Sequence, residues 1–468
     1  MRFAPDTRRC AATLTLALLV LLVLIALPAA GQPGGDAPPP SGRLAQPRGE
    51  DGCIHARGTN RCARGRAVKS PEDIAVSPDG RHVYVASFGS HAVAVFSRRR
   101  RTGNLEQLPG RRGCVVLRRS RTCGTARAIA RPVSIAISPD GANVYVAAAA
   151  SDALAVFARN RQTGALRQLP GGSGCLSQRP GGGCVVGRAL NEPTSVTVSP
   201  DGARVYVAGR RFPSGVAVLS RASDGSLTQA ADTSGCVSHH GTSGCRPARG
   251  ISGPEEVAVS PDSRFVLVAG MRSHAVATLQ VVPDGLSQAE GEAGCIARVL
   301  AEGCARGHTL RGPVDLAITA GGGDVYVASS IADGIAVLGR DPATGVLTQA
   351  PGRAGCISQD GGGGRCRRGR ALDEVWGVAL SPDGRNVYAV SAKVNMLGAI
   401  ARNRSNGTLS QLRGRYGCFI RAGGFGCPEG RGLTVAVAVT VSPDGRNVYA
   451  VSDDAFLGAI AIFRRFEG

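Results

Sequence analysis

Aromatic residues are scarce, phenylalanine, tryptophan and tyrosine together making up 4% of 468 residues. No nucleic-acid partner is expected, because single strands are held on stacked aromatic platforms. The same scarcity argues against a sugar-binding surface. Lysine is almost missing, with only Lys69 and Lys393, so the formal net charge of +21 is carried by arginine. No amphipathic helical period lasts more than a turn or two. Nor does the chain show a Ser/His/Asp order, a phosphate-cradling glycine motif or a metal-protease helix.

Only one long apolar run occurs, at residues 11–27. Arg2, Arg8 and Arg9 precede it and the small Ala29, Ala30 and Gly31 follow, so residues 1–31 read as a signal peptide. The run lies at the short end of what spans a bilayer, which favours cleavage over retention as an anchor. Residues 32–41 are a Gly/Pro-rich linker. The mature chain is expected to lack a transmembrane segment and to be secreted or extracytoplasmic. Removing residues 1–31 takes away Arg2, Arg8, Arg9 and Asp6 and leaves a net charge of +19.

Cysteine, by contrast, is plentiful. Fifteen are present, and all but Cys10 fall into pairs. The pairs are Cys53 and Cys62, Cys114 and Cys123, Cys175 and Cys184, Cys236 and Cys245, Cys295 and Cys304, Cys356 and Cys366, and Cys418 and Cys427. The first members lie 61, 61, 61, 59, 61 and 62 residues apart. Such a period means one supersecondary unit used repeatedly. An oxidising compartment lets an even set of cysteines pair. Eight or nine residues separate the two members of each pair, so a local disulfide per repeat is the simplest scheme. A thiolate metal site would need two further ligands per loop, and no His or Cys recurs there.

Each unit reads as four short strands, in the first repeat residues 74–77, 83–86, 92–96 and 105–108 from the inside outward. Pro78-Asp79-Gly80 suits the first turn, proline setting φ and glycine supplying a left-handed residue. Thr102-Gly103 makes the turn to the outer strand. Both faces of the second and third strands are apolar, as in sheets covered on both sides. The expected fold is all-β, a seven-bladed β-propeller of four-stranded blades over residues 42–468. The seventh third strand, residues 459–463, has no outer strand behind it. Residues 42–46 with Gly52-Cys53 align with residues 103–107 and Gly113-Cys114, so the N-terminal strand is expected to pair in the last blade and close the ring.

A residue repeated in every blade belongs to the scaffold, whereas a catalytic site must break the repeat. The cysteine-bearing loops are long, as at residues 109–131, and function is sought on their face of the disc. Five residues before the proline that opens each repeat, or its replacement, stand Arg66, Arg127, Arg188, Arg249, His308, Arg370 and Arg431. These either bond loop carbonyls or form a cationic ring that draws an anionic ligand to the channel mouth. Acidic residues gather where the inner strand starts: Glu72, Asp73, Glu255, Glu256, Asp315, Asp373 and Glu374. They pair with neighbouring arginines, or Asp73, Glu256 and Asp315 converge on calcium or magnesium. His239, His240, Arg210, Arg211, Trp376 and Lys393 also break the repeat.

Ser138-Pro139-Asp140-Gly141 followed by Val144-Tyr145-Val146-Ala147 resembles the YVTN-type repeats of bacterial propellers. Residues 153–157 leading to Thr163-Gly164-Ala165-Leu166, and residues 335–338 leading to Thr344-Gly345-Val346-Leu347, resemble the lactonase-type seven-bladed propellers. That family includes 6-phosphogluconolactonase and carboxymuconate-lactonising enzymes, and the resemblance spans residues 42–463. It implies His, Glu and Arg chemistry on the loop-rich face. Two functions follow as expectations. One is a secreted, disulfide-reinforced, monomeric binding protein that meets an anionic component of the cell envelope or extracellular space, or a small anionic ligand. The alternative is an exported hydrolase of a sugar or muconate-type lactone, with His308, Glu255 and Glu256 as catalytic candidates. Converging His, Glu and Arg would favour the hydrolase; mutually paired Arg and Glu would favour binding.

Overall fold

Each repeat folds into one sheet, and the innermost strands of successive sheets pack on one another around a central channel. The computed structural model describes residues 40–59, 61–299, 303–453 and 457–467. The expected signal peptide, with Cys10, and residues 32–39 of the linker lie outside them. Seven sheets complete the ring, the inner strand of the last packing on that of the first.

In the first blade the inner strand is Pro71–Val76, the second His82–Ser87, the third Ala92–Arg98 and the outer Leu105–Gln107. Four strands do not exhaust the sheet. After a 3-10 turn at Gly110–Gly113, residues Cys114–Val116 resume pairing with the same third strand, Cys114 opposite Ala94. A last strand, Gly124–Thr125, then runs parallel to them. The expected four-stranded blade is therefore a six-stranded sheet in six blades and a five-stranded one in the sixth. The physical reason is an outer strand interrupted by a turn, plus a two-residue strand too short to carry any hydrophobic period.

All seven disulfides join cysteines within one blade, as the spacing predicts. Cys53 bonds Cys62, Cys114 bonds Cys123, Cys175 bonds Cys184 and Cys236 bonds Cys245. Cys295 bonds Cys304, Cys356 bonds Cys366 and Cys418 bonds Cys427. Their Cα atoms lie 4.8 to 5.1 Å apart. Each bond ties the resumed outer strand to the segment that follows it, so Cys62, Cys123, Cys184, Cys245, Cys304, Cys366 and Cys427 anchor the far ends of short loops. In the seventh blade the outer pieces come from the other end of the chain. Leu44–Ala45 and Cys53–His55 both pair antiparallel with Ala459–Arg465, Leu44 opposite Arg465 and Cys53 opposite Ala461.

The core lies between blades, where Val83, Tyr84 and Val85 are fully buried from both faces of their strand. Polar groups of the turn motif meet there too. Asp79 accepts hydrogen bonds from Ser77 Oγ at 2.6 Å and the Arg81 amide at 3.0 Å, and pairs with Arg159 of the next blade at 3.1 Å. Arg159 also donates to Tyr84 Oη at 2.7 Å, and Tyr84 donates to the Gly164 carbonyl at 2.8 Å. Gly164 has φ +77°, and a Cβ there would stand 2.2 Å from His82. The turn glycine is thus required by conformation and by close packing together.

Candidate functional site: the central channel

A bulge near the start of every inner strand shapes the channel. Pairing with the second strand skips from Pro71 to Asp73, and the same skip recurs from Pro254 to Glu256 and from Pro313 to Asp315. Bulges re-aim side chains, and here they turn two rows of residues toward a cavity of about 550 Å³. Its walls include Glu72, Asp73, Arg210, Glu255, Glu256, Asp315 and Trp376.

The deeper row stitches blades together. Asp73 accepts from the Ile74 amide at 2.7 Å and, across the blade boundary, from the Ile135 amide at 2.9 Å. Asp315 does the same with Leu316 and Val378, both at 2.7 Å. Ser134 and Ser195 take the equivalent amides of Val196 and Val257, each at 3.2 Å. Burial pushes Asp315 up to about 7, against the opposing amides and with Asp73 adding repulsion. Burial, then Asp315 and Asp73, hold Glu256 well above the carboxylate range. These carboxyls are therefore structural acceptors or neutral acids. Among the described residues, the one set of three ligand atoms within 4.8 Å of one another belongs to His308, Cys356 and Cys366, two of which form a disulfide. Asp73, Glu256 and Asp315 line the same cavity and repel one another, but their ligand atoms do not all come within 4.8 Å of one another.

The row nearer the mouth is asymmetric. Arg210 pairs with Glu255 at 3.3 Å and with Glu192, which Arg211 also contacts. Glu72 is pushed up to about 7 by burial, with Asp453 and Asp73 adding repulsion and Arg210 opposing. Burial raises Glu255 as well, despite Arg210. Lys393 pairs with Asp373 at 3.1 Å. Arg210, Glu255 and Trp376 were legible as breaks in the repeat. Glu192 and Asp453 were not. Glu192 has one acidic counterpart, Glu374, which likewise stands one residue before its inner strand, and that match is the signal that marks it; Asp453 has no acidic counterpart in the other repeats.

The arginines five residues before each repeat sit elsewhere. Arg66 donates to the carbonyls of Leu108, Gly110 and Thr122 at 3.0, 3.1 and 3.0 Å. Arg188 reaches Ala230 and Gly244, Arg249 reaches Ala289 and Gly291, and Arg370 reaches Gly414 and Phe425. Arg127 bonds Gly171, and Arg431 bonds Pro47 and Arg61. Each thus clamps an outer loop of the adjoining blade, and none is among the channel walls. Their partners lie along the outer strand, so the clamp is peripheral and does not ring the channel mouth. His308 occupies the same peripheral position, Nδ1 lying 3.5 Å from Cys356 Sγ. It lines a separate cavity, so the structure does not bring it to Glu255 and Glu256. The rings of His239 and His240 meet at a tilt of 51° with centroids 4.0 Å apart, His239 lining a further cavity away from the channel.

Residues 69–186 match the family model described as Lactonase, 7-bladed beta-propeller. The scaffold is that of the lactonase-type seven-bladed propellers. No curated protein matches the chain. Among solved structures, the Kuenenia stuttgartiensis hydrazine synthase matches 88% of this chain and 99% of its own, at TM-score 0.53 and 15% identity. A Bacteroides fragilis protein assigned as a 6-phosphogluconolactonase matches 79% and 92%, at TM-score 0.52 and 17% identity. The periplasmic gluconolactonase of Pseudomonas aeruginosa matches 80% and 94%, at TM-score 0.50 and 18% identity. At such identities the likeness concerns the lactonase-like fold and not its chemistry.

Proposed function

We propose that this lactonase-like propeller is a secreted binding protein that engages an anionic component of the cell envelope or extracellular space. Charge separation carries the reading. Carboxyls collect in the channel, while Arg99, Arg100, Arg111, Arg112, Arg367 and Arg368 stand exposed. Seven disulfides suit an oxidising compartment, and the mature charge of +19 suits adhesion to a polyanion. The channel arginine is already paired with Glu192 and Glu255, which favours binding over catalysis. Co-sedimentation of the mature protein with envelope fractions across a salt series tests this. Binding should fall steadily as salt rises; salt-indifferent binding, or none, would count against it.

A second reading, an exported hydrolase of a sugar or muconate-type lactone, draws on one observation. Glu72 lies at the channel mouth with a pKa of about 7, able to accept and return a proton at neutral pH. A pH-stat assay with aldono- and muconolactones, with and without EDTA, decides it. Hydrolysis that Glu72→Gln abolishes would support the enzyme, and EDTA sensitivity would implicate calcium or magnesium. Lactones opening no faster than in buffer would remove it.

A further inference from the structure

One break in the repeat opens a second cavity. At six blade junctions the clamp arginine fills the space between adjoining outer loops and bonds their carbonyls. His308 keeps the backbone half of that arrangement. Its amide donates to Gln349 Oε1 at 2.7 Å and its carbonyl accepts from Gln349 Nε2 at 3.1 Å. Arg66 does the same with Gln107, at 2.8 and 2.9 Å. The side chain does not keep the other half. The imidazole lies against the Cys356–Cys366 disulfide and makes no bond to a loop carbonyl among the described residues. The unfilled space is a cavity of about 820 Å³ between blades four and five, walled by Arg298, Arg306, His308, Thr309 and Arg365.

None of these three arginine side chains has a hydrogen-bond or ion-pair partner among the described residues, and none of the cavity's described walls is acidic. All three are solvent-exposed and line the same cavity, so an anion seated in it meets three positive charges. Their forked donors match the paired oxygens of phosphate and carboxylate groups. The volume falls in the range that encloses a small molecule.

We propose that this cavity is a binding site for a small polyvalent oxyanion, held by Arg298, Arg306 and Arg365 with His308 and Thr309 completing its contacts. The inference deepens the anion-binding reading and rests on it only for the sign of the ligand's charge.

Pyrophosphate and citrate serve as probes, titrated calorimetrically into the mature wild type and three variants. His308→Arg decides the matter because two explanations give it opposite signs. It restores the residue found at the other junctions, so it should fold, refill the space and add one positive charge. Diffuse attraction would then grow tighter, whereas a built pocket should lose about tenfold or more in affinity. Arg365→Ala should also weaken binding about tenfold, and Arg161→Ala, exposed in another blade, should leave it unchanged. Binding of one probe alone assigns the site to phosphate or to carboxylate; binding of both supports oxyanions in general. Absence of saturable binding, or equal or tighter binding by His308→Arg, overturns the site. Envelope co-sedimentation of His308→Arg should match the wild type, so either reading can fail without the other.

Discussion

Arg159 is where the repeat's separate motifs meet. Its guanidinium serves Asp79 and Tyr84 of the neighbouring blade and Gly141 of its own, and its side chain is almost wholly buried. Removing one partner of a buried pair leaves the other uncompensated. Arg159→Met should therefore cost about 3 kcal/mol, read as a lower midpoint in urea denaturation. The fourth blade supplies the converse test. Leu267 stands where other blades have tyrosine, and Arg340 is left with Nε and Nη2 buried and without a hydrogen bond, Nη2 lying 3.8 Å from Asp262. Leu267→Tyr should add about 1 kcal/mol if its hydroxyl reaches that guanidinium. A loss of stability would mean that Phe265, over which Arg340 stacks at 4.8 Å, has taken the space. Channel carboxyls make a further prediction. Glu72 and Asp315 are both raised to about 7, so the folded state favours their protonated forms. That contribution is full below the ordinary carboxylate range and is lost as pH climbs toward about 7. Asp79 and Asp140, held at about 2 by bonds that outweigh partial burial, stay ionised through that window. The melting temperature should be higher at about pH 5 than at about pH 8. Glu72→Gln should narrow the difference, and a flat profile in the wild type would refute these protonation states.

At the scale of elements, the disulfide reinforces a strand that cannot run straight. The 3-10 turn at Gly171–Gly174 interrupts the outer strand of the second blade before Cys175–Ser177 rejoins the sheet, and Cys184 is tied to Cys175 just beyond. The closed loop is short, so replacing both cysteines by serine should cost roughly 2–3 kcal/mol and leave the ring assembled. Non-reducing melts of the variant would show this; a collapse of the whole fold would mean the link does more than close a local loop. Strands were readable from sequence because turn residues and apolar runs are local signals. Asp79 was readable only as a turn residue, since its partner Arg159 lies a blade away and no local period announces it. The candidate site behaved alike. Arg210, Glu255 and Trp376 stood out by breaking the repeat, but whether they meet depends on the bulge and on radial position. His308 broke the repeat just as plainly and lies at the periphery instead.

At the scale of the molecule, one blade holds both ends of the described chain. Leu44 is buried against the last third strand, and Gly42 lends its carbonyl to Tyr388 Oη at 2.8 Å. Gln46 donates to the Arg431 carbonyl at 2.8 Å and accepts from its amide at 2.9 Å, the same exchange Gln107 makes with Arg66. Residues 42–47 thus repeat in the last blade what covalent neighbours do in the others. Deleting them would leave residues Arg464 and Arg465 with an unpaired edge and the clamp arginine without its glutamine. An exposed edge also invites pairing with another copy. The truncated protein should melt several degrees lower and associate in a concentration-dependent way, visible by light scattering. A peptide of residues 40–47 supplied in trans should restore both properties, because the missing strand is held by pairing and packing rather than by its peptide bond to residue 48. An unchanged melt would mean that the ring holds without the N-terminal strand, and that inner-strand packing around the channel is sufficient to close it.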